Sequence, residues 1–490
     1  MTSLNNDIYF EIIKHSDITK IKNMCNSNRE FRNYCKKNKN TISKMLLDRY
    51  NVHYNDPNDF IYRMNHAKKE DFMLAKKDIK KETINYIGIL KLYLKFYNQK
   101  VTSCQNMEIT NIPTYPNLEK LLCSGNQLTE LPIYPKLKTL YCNDNQLTQL
   151  PNYPDLKDLD CSLNKLTQLP NYPKLEYLDC NENLLIQLPN YPHLEHLECN
   201  DNRLTTLPIY NKLNVLLCDT NELTQLPNYP KLKTLYCNTN LLTQLPNYPK
   251  LEYLECNDNL LTQLPIYPKL TELQCNDNQL TTLPIYNELN VLLCDNNQLT
   301  TLPNYPKLKT LYCNTNLLTQ LPNYPKLEYL ECSGNQLTQL PDYPKLTELY
   351  CDDNRLTTLP IYNELNVLLC DNNQLTQLPN YPKLTNLYCS SNELTLLQNY
   401  PELKTLYCNN NQLTTLPIYL KLTELQCNNN RLTTLPIYNE LNVLLCANNQ
   451  LTTLPNYLNL KELDCNNNQL TQLPNYPKLN YLNCNDNQLT

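Results

Sequence analysis

From residue 104 onward, apolar and polar positions follow one repeating pattern. It reads Leu-x-x-Leu-x-Cys, then x-x-Asn-x-Leu-Thr, then Leu-Pro-x-Tyr-Pro. One instance runs from Leu226 to Gln244, LPNYPKLKTLYCNTNLLTQ. Cys104, Cys123, Cys142, Cys161 and Cys180 are spaced 19 residues apart, and the ladder continues unbroken to Cys446, Cys465 and Cys484. Of the 23 cysteines, 21 belong to it. The Leu-x-x-Leu-x-Cys stretch alternates inward and outward as a short strand must. Stacked coils align such strands into one parallel sheet, with Leu and Cys forming a continuous core. The Asn that follows (Asn126, Asn145, Asn164 and onward to Asn487) turns inward, where its amide satisfies backbone groups of its own and the neighbouring coil. Leu-Thr then re-enters the core. Interior prolines exclude a regular helix from Pro-x-Tyr-Pro, so an extended, polyproline-like outer wall is expected, with Tyr lying along it.

The core Leu-x-x-Leu-x-Cys-x-x-Asn-x-Leu resembles the leucine-rich-repeat signature, with Cys in a slot often filled by Leu. The Leu-Pro-x-Tyr-Pro segment is similar to the short repeats of bacterial effectors that carry leucine-rich repeats. The overall style, Asn/Tyr-rich repeats behind a distinct head, resembles leucine-rich-repeat proteins of giant DNA viruses. The resemblance implies an α+β chain: a leucine-rich-repeat solenoid over 104–490, with a parallel β-sheet on one face and an extended wall on the other, behind a small α-helical N-terminal head.

The head differs in composition. All five Phe lie in the first hundred residues, which hold 20 Lys+Arg against 11 Asp+Glu, a net of +9; the whole chain is −5, so residues 101–490 carry −14. In residues 1–60, Ile8, Ile12 and Ile13 fall at helical spacing. Ile18, Ile21, Met24 and Cys25 form a second stripe after Asp17, a candidate N-cap. Leu4, the acidic-apolar DIYFEII and Arg29-Glu30-Phe31-Arg32 after a Cys/Asn-rich turn together resemble an F-box. That resemblance implies docking to a Skp-type linker of a cullin–RING ubiquitin ligase, with Ile8, Ile12, Ile13 and Ile21 among the contacts. The other reading is a helical bundle that only caps the first coil. Residues 61–103 are expected to form a helical bridge and cap, with Ile84, Ile87, Leu90 and Leu94 on one face.

A longer period overlies the repeat. Asn replaces the second Pro at Asn211, Asn287, Asn363 and Asn439, and the same coils carry Val215/Leu217, Val291/Leu293, Val367/Leu369 and Val443/Leu445 in outward strand slots. Four coils have duplicated as a block, so part of the surface records copying.

No catalytic residue, cofactor or metal site is expected: there is no Gly-rich phosphate loop, no Gly-x-Ser-x-Gly, no Cys-x-x-Cys and no metal-spaced His pair. His193 and His196 read as solvated side chains facing different directions. The start lacks a basic segment followed by an apolar run, and no stretch is apolar enough to span a bilayer. The chain is therefore read as intracellular, in the cytoplasm, or in a host's cytoplasm on the viral resemblance. In a reducing compartment the ladder cysteines read as small buried hydrophobes; a disulfide ladder and a metal site are the alternatives.

An acidic body repels phosphate backbones, which argues against nucleic acid. The four outward slots per coil hold 22 Asp+Glu and one Lys, Lys120. Candidate partner-binding residues on that face are Tyr141, Asp160, Asp179, Glu198, Tyr236, Glu255, Glu272, Tyr312, Glu331, Glu348, Tyr350 and Tyr388. Tyrosine flanked by carboxylates suits a basic, partly apolar protein; a plain solubilising face is the other reading. The expected function is a non-enzymatic protein–protein interaction protein, either a substrate-recognition adaptor for a ubiquitin ligase or a plain scaffold.

Overall fold

The structure, a computed structural model, describes residues 99–490 together with Cys35, Lys37, Lys44 and Met45, which take helical backbone. The other residues of the head, including Ile8, Ile12, Ile13, Ile21, Ile84, Ile87, Leu90 and Leu94, lie outside the described residues. The chain divides into two compact units, Met1–Leu223 and Thr224–Thr490.

Among the described residues of the first unit, seven three-residue strands form a parallel sheet: β1 Val101–Ser103, β2 Lys120–Leu122, β3 Thr139–Tyr141, β4 Asp158–Asp160, β5 Tyr177–Asp179, β6 His196–Glu198 and β7 Val215–Leu217. Among the described residues the sheet starts at Val101, inside the segment expected to be a helical bridge. Thr102, 3 % exposed, takes the inward slot that Leu fills elsewhere, which hides this coil from the leucine pattern.

The second unit holds fourteen such strands: β8 Thr234–Tyr236, β9 Tyr253–Glu255, β10 Glu272–Gln274, β11 Val291–Leu293, β12 Thr310–Tyr312, β13 Tyr329–Glu331, β14 Glu348–Tyr350, β15 Val367–Leu369, β16 Asn386–Tyr388, β17 Thr405–Tyr407, β18 Glu424–Gln426, β19 Val443–Leu445, β20 Glu462–Asp464 and β21 Tyr481–Asn483. All pair in parallel, each residue opposite the one 19 positions on, as Leu254 is opposite Leu273. No helix among the described residues is long and apolar enough to cross a membrane.

One coil shows how the core is made. Leu264, Tyr267, Leu270, Leu273, Cys275 and Leu280 are all buried, while Thr281, after the re-entering Leu, is exposed. Tyr267 corrects the expectation of a tyrosine lying along the wall. Its ring is fully buried and lies 6.3 Å from those of Tyr248 and Tyr286, and its hydroxyl donates to the Pro246 carbonyl at 3.1 Å. The same bond recurs from Tyr286 to Pro265 and from Tyr305 to Pro284, both at 3.0 Å. A buried hydroxyl needs a partner, and the carbonyl before the exposed wall residue of the preceding coil supplies it.

The Asn ladder is as expected. Asn278 donates to Cys256 O at 2.9 Å and to Asn276 O at 2.9 Å, and its Oδ1 accepts the Leu261 amide at 3.0 Å. The ladder cysteines from Cys104 to Cys465 are buried, and burial raises the thiol of Cys104 to about 12 and those of Cys142 and Cys275 well above their ordinary value. Among the described residues no disulfide forms and no cluster of His, Cys, Asp and Glu could hold a metal ion.

Two positions past each Cys, the chain takes a left-handed conformation. Gly125 and Gly334 occupy this slot with φ of 67° and 66°. Other coils place side chains there, including Thr239 and Thr315 at φ of 52° and 51°. A β-branched residue at positive φ is strained, so these coils carry local cost that neighbouring packing offsets.

Candidate functional site

The short strands leave two outward side chains per coil, one on each side of the inward Leu. All twelve candidate residues sit there, half-buried. Stacking at the strand spacing of ~4.8 Å turns each slot into a column.

In the first unit, Asp160 is opposite Asp179, and Asp179 is opposite Glu198. Three carboxylates therefore share one row. Burial, with Asp160 and Glu198 adding to it, pushes Asp179 up to about 6 against the lowering effect of the Asn181 amide. Asp160 is raised as well, first by burial. Glu198 goes the other way, because His196 donates to it at 2.8 Å and Tyr177 at 3.0 Å. The Tyr177 and His196 rings stack at 4.7 Å. His196 is thus part of the face rather than a solvated side chain, whereas His193 is exposed beside the Lys212 ammonium at 3.0 Å. Tyr141 donates to Asp158 at 3.0 Å, and Lys120 lies over its ring at 5.5 Å. Tyr141, Asp158, Asp160 and Tyr177 line a shallow depression.

In the second unit, Tyr236 and Tyr253 stack at 5.1 Å, and Tyr253 donates to Glu255. Glu255 also accepts from Asn238 at 3.1 Å, and Gln274 bridges Tyr253 and Glu272 at 3.2 and 3.1 Å. Four strands on, Tyr312 and Tyr329 stack at 5.0 Å, Tyr329 donates to Glu331, and Tyr350 donates to Glu348 at 3.1 Å. Tyr388 meets Tyr407 edge-on at 4.8 Å, and Tyr407 donates to Glu424.

A second ladder escapes the sequence reading. The side chain just after Cys accepts the backbone amide of the same slot one coil on: Asn257 Oδ1 from Asn276 N, and Asp352 from Asp371 N, both at 2.7 Å. Burial pushes Asp295 and Asp352 up to about 6. The signal was present, since the slot holds Asn, Asp or Ser in nearly every coil, the residues that accept backbone amides locally.

Charge balance separates this face from the neighbouring edge. On the edge before each strand, Glu176, Glu252, Glu288, Glu328 and Glu364 pair with lysines of adjacent coils. Among the described residues, Asp160, Asp179, Glu255, Glu272, Glu331 and Glu348 have no Lys or Arg ion pair.

A family model of leucine-rich repeats in two copies matches residues 116–155. The structure is similar to that of YopM from Yersinia enterocolitica, at 30 % identity and a TM-score of 0.75, over 86 % of this chain and 99 % of that one. It is also similar to the functional domain of InlJ from Listeria monocytogenes, which includes a cysteine ladder, at 28 % identity and a TM-score of 0.53, over 57 % of this chain and 69 % of that one. The Arabidopsis receptor kinase HAESA, solved with the peptide hormone IDA and the co-receptor SERK1, shares the fold at 20 % identity and a TM-score of 0.51, over 76 % and 87 % of the two chains. No curated protein matches the sequence.

Proposed function

The chain belongs to the leucine-rich-repeat family, and from that premise we propose that it is a non-enzymatic binding protein whose strand face holds a basic, partly apolar protein partner. Solenoids of this family are generally interaction scaffolds. The observation that carries the reading is the unneutralised face. Asp160, Asp179, Glu255, Glu272, Glu331 and Glu348 on the face have no Lys or Arg ion pair among the described residues, while Glu252, Glu288, Glu328 and Glu364 on the neighbouring edge each pair with a lysine. A cationic partner relieves the mutual repulsion of Asp160, Asp179 and Glu198, and the tyrosine rings supply apolar area and cation–π contacts.

Two charge-matched variants test it: Glu255, Glu272, Glu331 and Glu348→Gln on the face, against Glu252, Glu288, Glu328 and Glu364→Gln on the edge. Titrated with an arginine-rich peptide, the face variant loses affinity and the edge variant keeps it. Equal loss in both would reduce the face to one part of a uniformly acidic surface.

The F-box-like head supports a finer role: an adaptor in which the solenoid holds a target and Ile8, Ile12, Ile13 and Ile21 engage a Skp-type linker. The resemblance to giant-virus proteins would place that role in a host's cytoplasm. Binding of the intact chain to purified linker, abolished by Ile12→Glu, supports the adaptor. No binding at tens of micromolar leaves the plain scaffold.

A further inference from the structure

The strand face of the second unit is periodic at a scale larger than the coil. Tyr236, Tyr253, Glu255 and Glu272, on β8–β10, recur 76 residues on as Tyr312, Tyr329, Glu331 and Glu348, on β12–β14. The geometry recurs with the residues: ring pairs at 5.1 and 5.0 Å, each inclined by 27°, and a tyrosine hydroxyl bonded to a glutamate in both. A third block on β16–β18 keeps Tyr388 and Glu424 but has Thr405 and Tyr407 in the slots of Tyr329 and Glu331, so its ring pair, Tyr388 with Tyr407, is edge-on and its glutamate is held by Tyr407. Between these plaques lie β11 and β15, whose outward residues are Val291/Leu293 and Val367/Leu369. Along the stacking direction the face alternates anionic-aromatic and apolar.

We propose that this face reads the spacing of its partner: it fits a polyproline-type segment, laid across the strands, that carries a basic residue every six positions and an apolar residue midway. The inference rests on the reading of the strand face as the partner-binding surface, and it adds the partner's conformation and periodicity. Four strands at ~4.8 Å make a repeat of roughly 19 Å. A polyproline helix rises ~3.1 Å per residue with three residues per turn, so six residues span roughly 19 Å in two full turns. Residues i, i+3 and i+6 then face the sheet together. A β-strand covers a similar length in six residues but turns residue i+3 away, so it cannot seat both the basic and the apolar position. Each basic side chain meets tyrosine faces and a glutamate that the tyrosine hydroxyl already holds in place. The proline-rich spacer is stiff before it binds, which lowers the ordering cost.

The test uses the intact chain and three synthetic peptides of equal composition. One is three copies of Arg-Pro-Pro-Leu-Pro-Pro; the others place the arginines five or seven residues apart. Fluorescence anisotropy is expected to show the six-residue spacing binding about tenfold tighter or more. Tyr253→Ala with Tyr329→Ala abolishes that preference, and the corresponding Phe variants, which keep the rings, retain it. Equal affinity for all three peptides, lost on Glu255→Gln with Glu331→Gln, overturns the spacing inference and leaves the binding face standing. Binding indifferent to every face substitution overturns both. Because the wild-type comparison of the three peptides decides the spacing by itself, a poorly folded alanine variant does not rescue the proposal.

Discussion

The side-chain amide of Asn259 donates to the carbonyl of Cys237, one coil back, at 2.9 Å, while its Oδ1 accepts the Leu242 amide at 3.0 Å. It also reaches the carbonyls of Cys256 and Asn257, at 3.3 and 3.0 Å. One side chain thus satisfies backbone groups of two coils in a bend where no strand partner is available.

Asn259→Ala leaves those groups unpaired in a buried place and is expected to cost about 1–3 kcal/mol. Lys250→Ala, on the exposed edge, is expected within about 0.5 kcal/mol. Urea midpoints of the two variants check this. Equal midpoints would mean that the amide ladder is not what closes the bend.

The tyrosine ladder makes a second demand. Tyr267→Phe keeps the buried ring and removes only the hydroxyl that serves Pro246 O, for an expected loss of about 1 kcal/mol. Tyr267→Ala opens a cavity in the stack and is expected to cost about 3–5 kcal/mol. Similar melts for Phe and Ala would show that the ring contributes little.

Alkaline pH probes the same core. Burial raises the thiols of Cys104 and Cys275 and the phenol of Tyr267 above their ordinary values. The folded state therefore favours the neutral forms. Their contribution is complete below the ordinary thiol value of 9.0 and is lost as pH rises through it toward the folded values, about 12 for Cys104. Each buried thiol removes about 1.4 kcal/mol per pH unit in that window, and a ladder of them makes the loss steep. The urea midpoint is expected to be level from pH 6 to about 7.5 and to fall sharply by pH 10. A level midpoint through pH 10 would mean that the cysteines are not buried.

Backbone strain gives a stabilising substitution. Thr315→Gly relieves a β-branched residue at φ 51° and is expected to stabilise by about 1 kcal/mol. The reverse change, Gly334→Ala, has space, with its nearest neighbour at 3.5 Å, so its expected cost of about 1 kcal/mol comes from φ alone. Thermal melts of the two variants moving in the same direction would contradict this.

Sequence spacing made the strands, the inward Leu and Cys and the Asn ladder legible, because each residue type repeats without a gap for 19 residues at a time. The buried tyrosine was missed although the signal is simple: Leu264, Tyr267, Leu270 and Leu273 continue one spacing of three, so Tyr belongs to the inward series. The flanking prolines fix the chain's extended path but not the direction of the tyrosine between them. The strand-face residues were legible as a set, but their bonds were not. Whether Tyr253 meets Glu255 on its own strand or Tyr407 meets Glu424 one coil on depends on rotamers that spacing does not encode. Thr102 hid the first strand for a different reason, being a polar residue in an apolar slot.

Titration of the face should show in binding. Asp179 on the strand face, and Asp295 and Asp352 in the slot just past Cys that borders it, each raised to about 6 by burial, are charged at pH 7.5 and largely neutral at pH 5. Folding stability from these three moves oppositely to binding: it is complete below the ordinary value of 3.8 and declines as pH rises through about 6. Affinity for a basic peptide is expected to fall as pH drops from 7.5 to 5, and Asp179→Asn with Asp295→Asn and Asp352→Asn to flatten the profile. A profile unchanged by the triple variant would place binding elsewhere.

The claim that the strand face is the binding surface is tested most directly by carboxyl footprinting of the intact chain, with and without a saturating arginine-rich peptide. Carbodiimide labelling, read by mass spectrometry, is expected to fall at Asp160, Asp179, Glu255, Glu272, Glu331 and Glu348, and to stay unchanged at Glu252, Glu288, Glu328 and Glu364. Protection confined to the edge glutamates, or spread equally over both sets, would contradict the account.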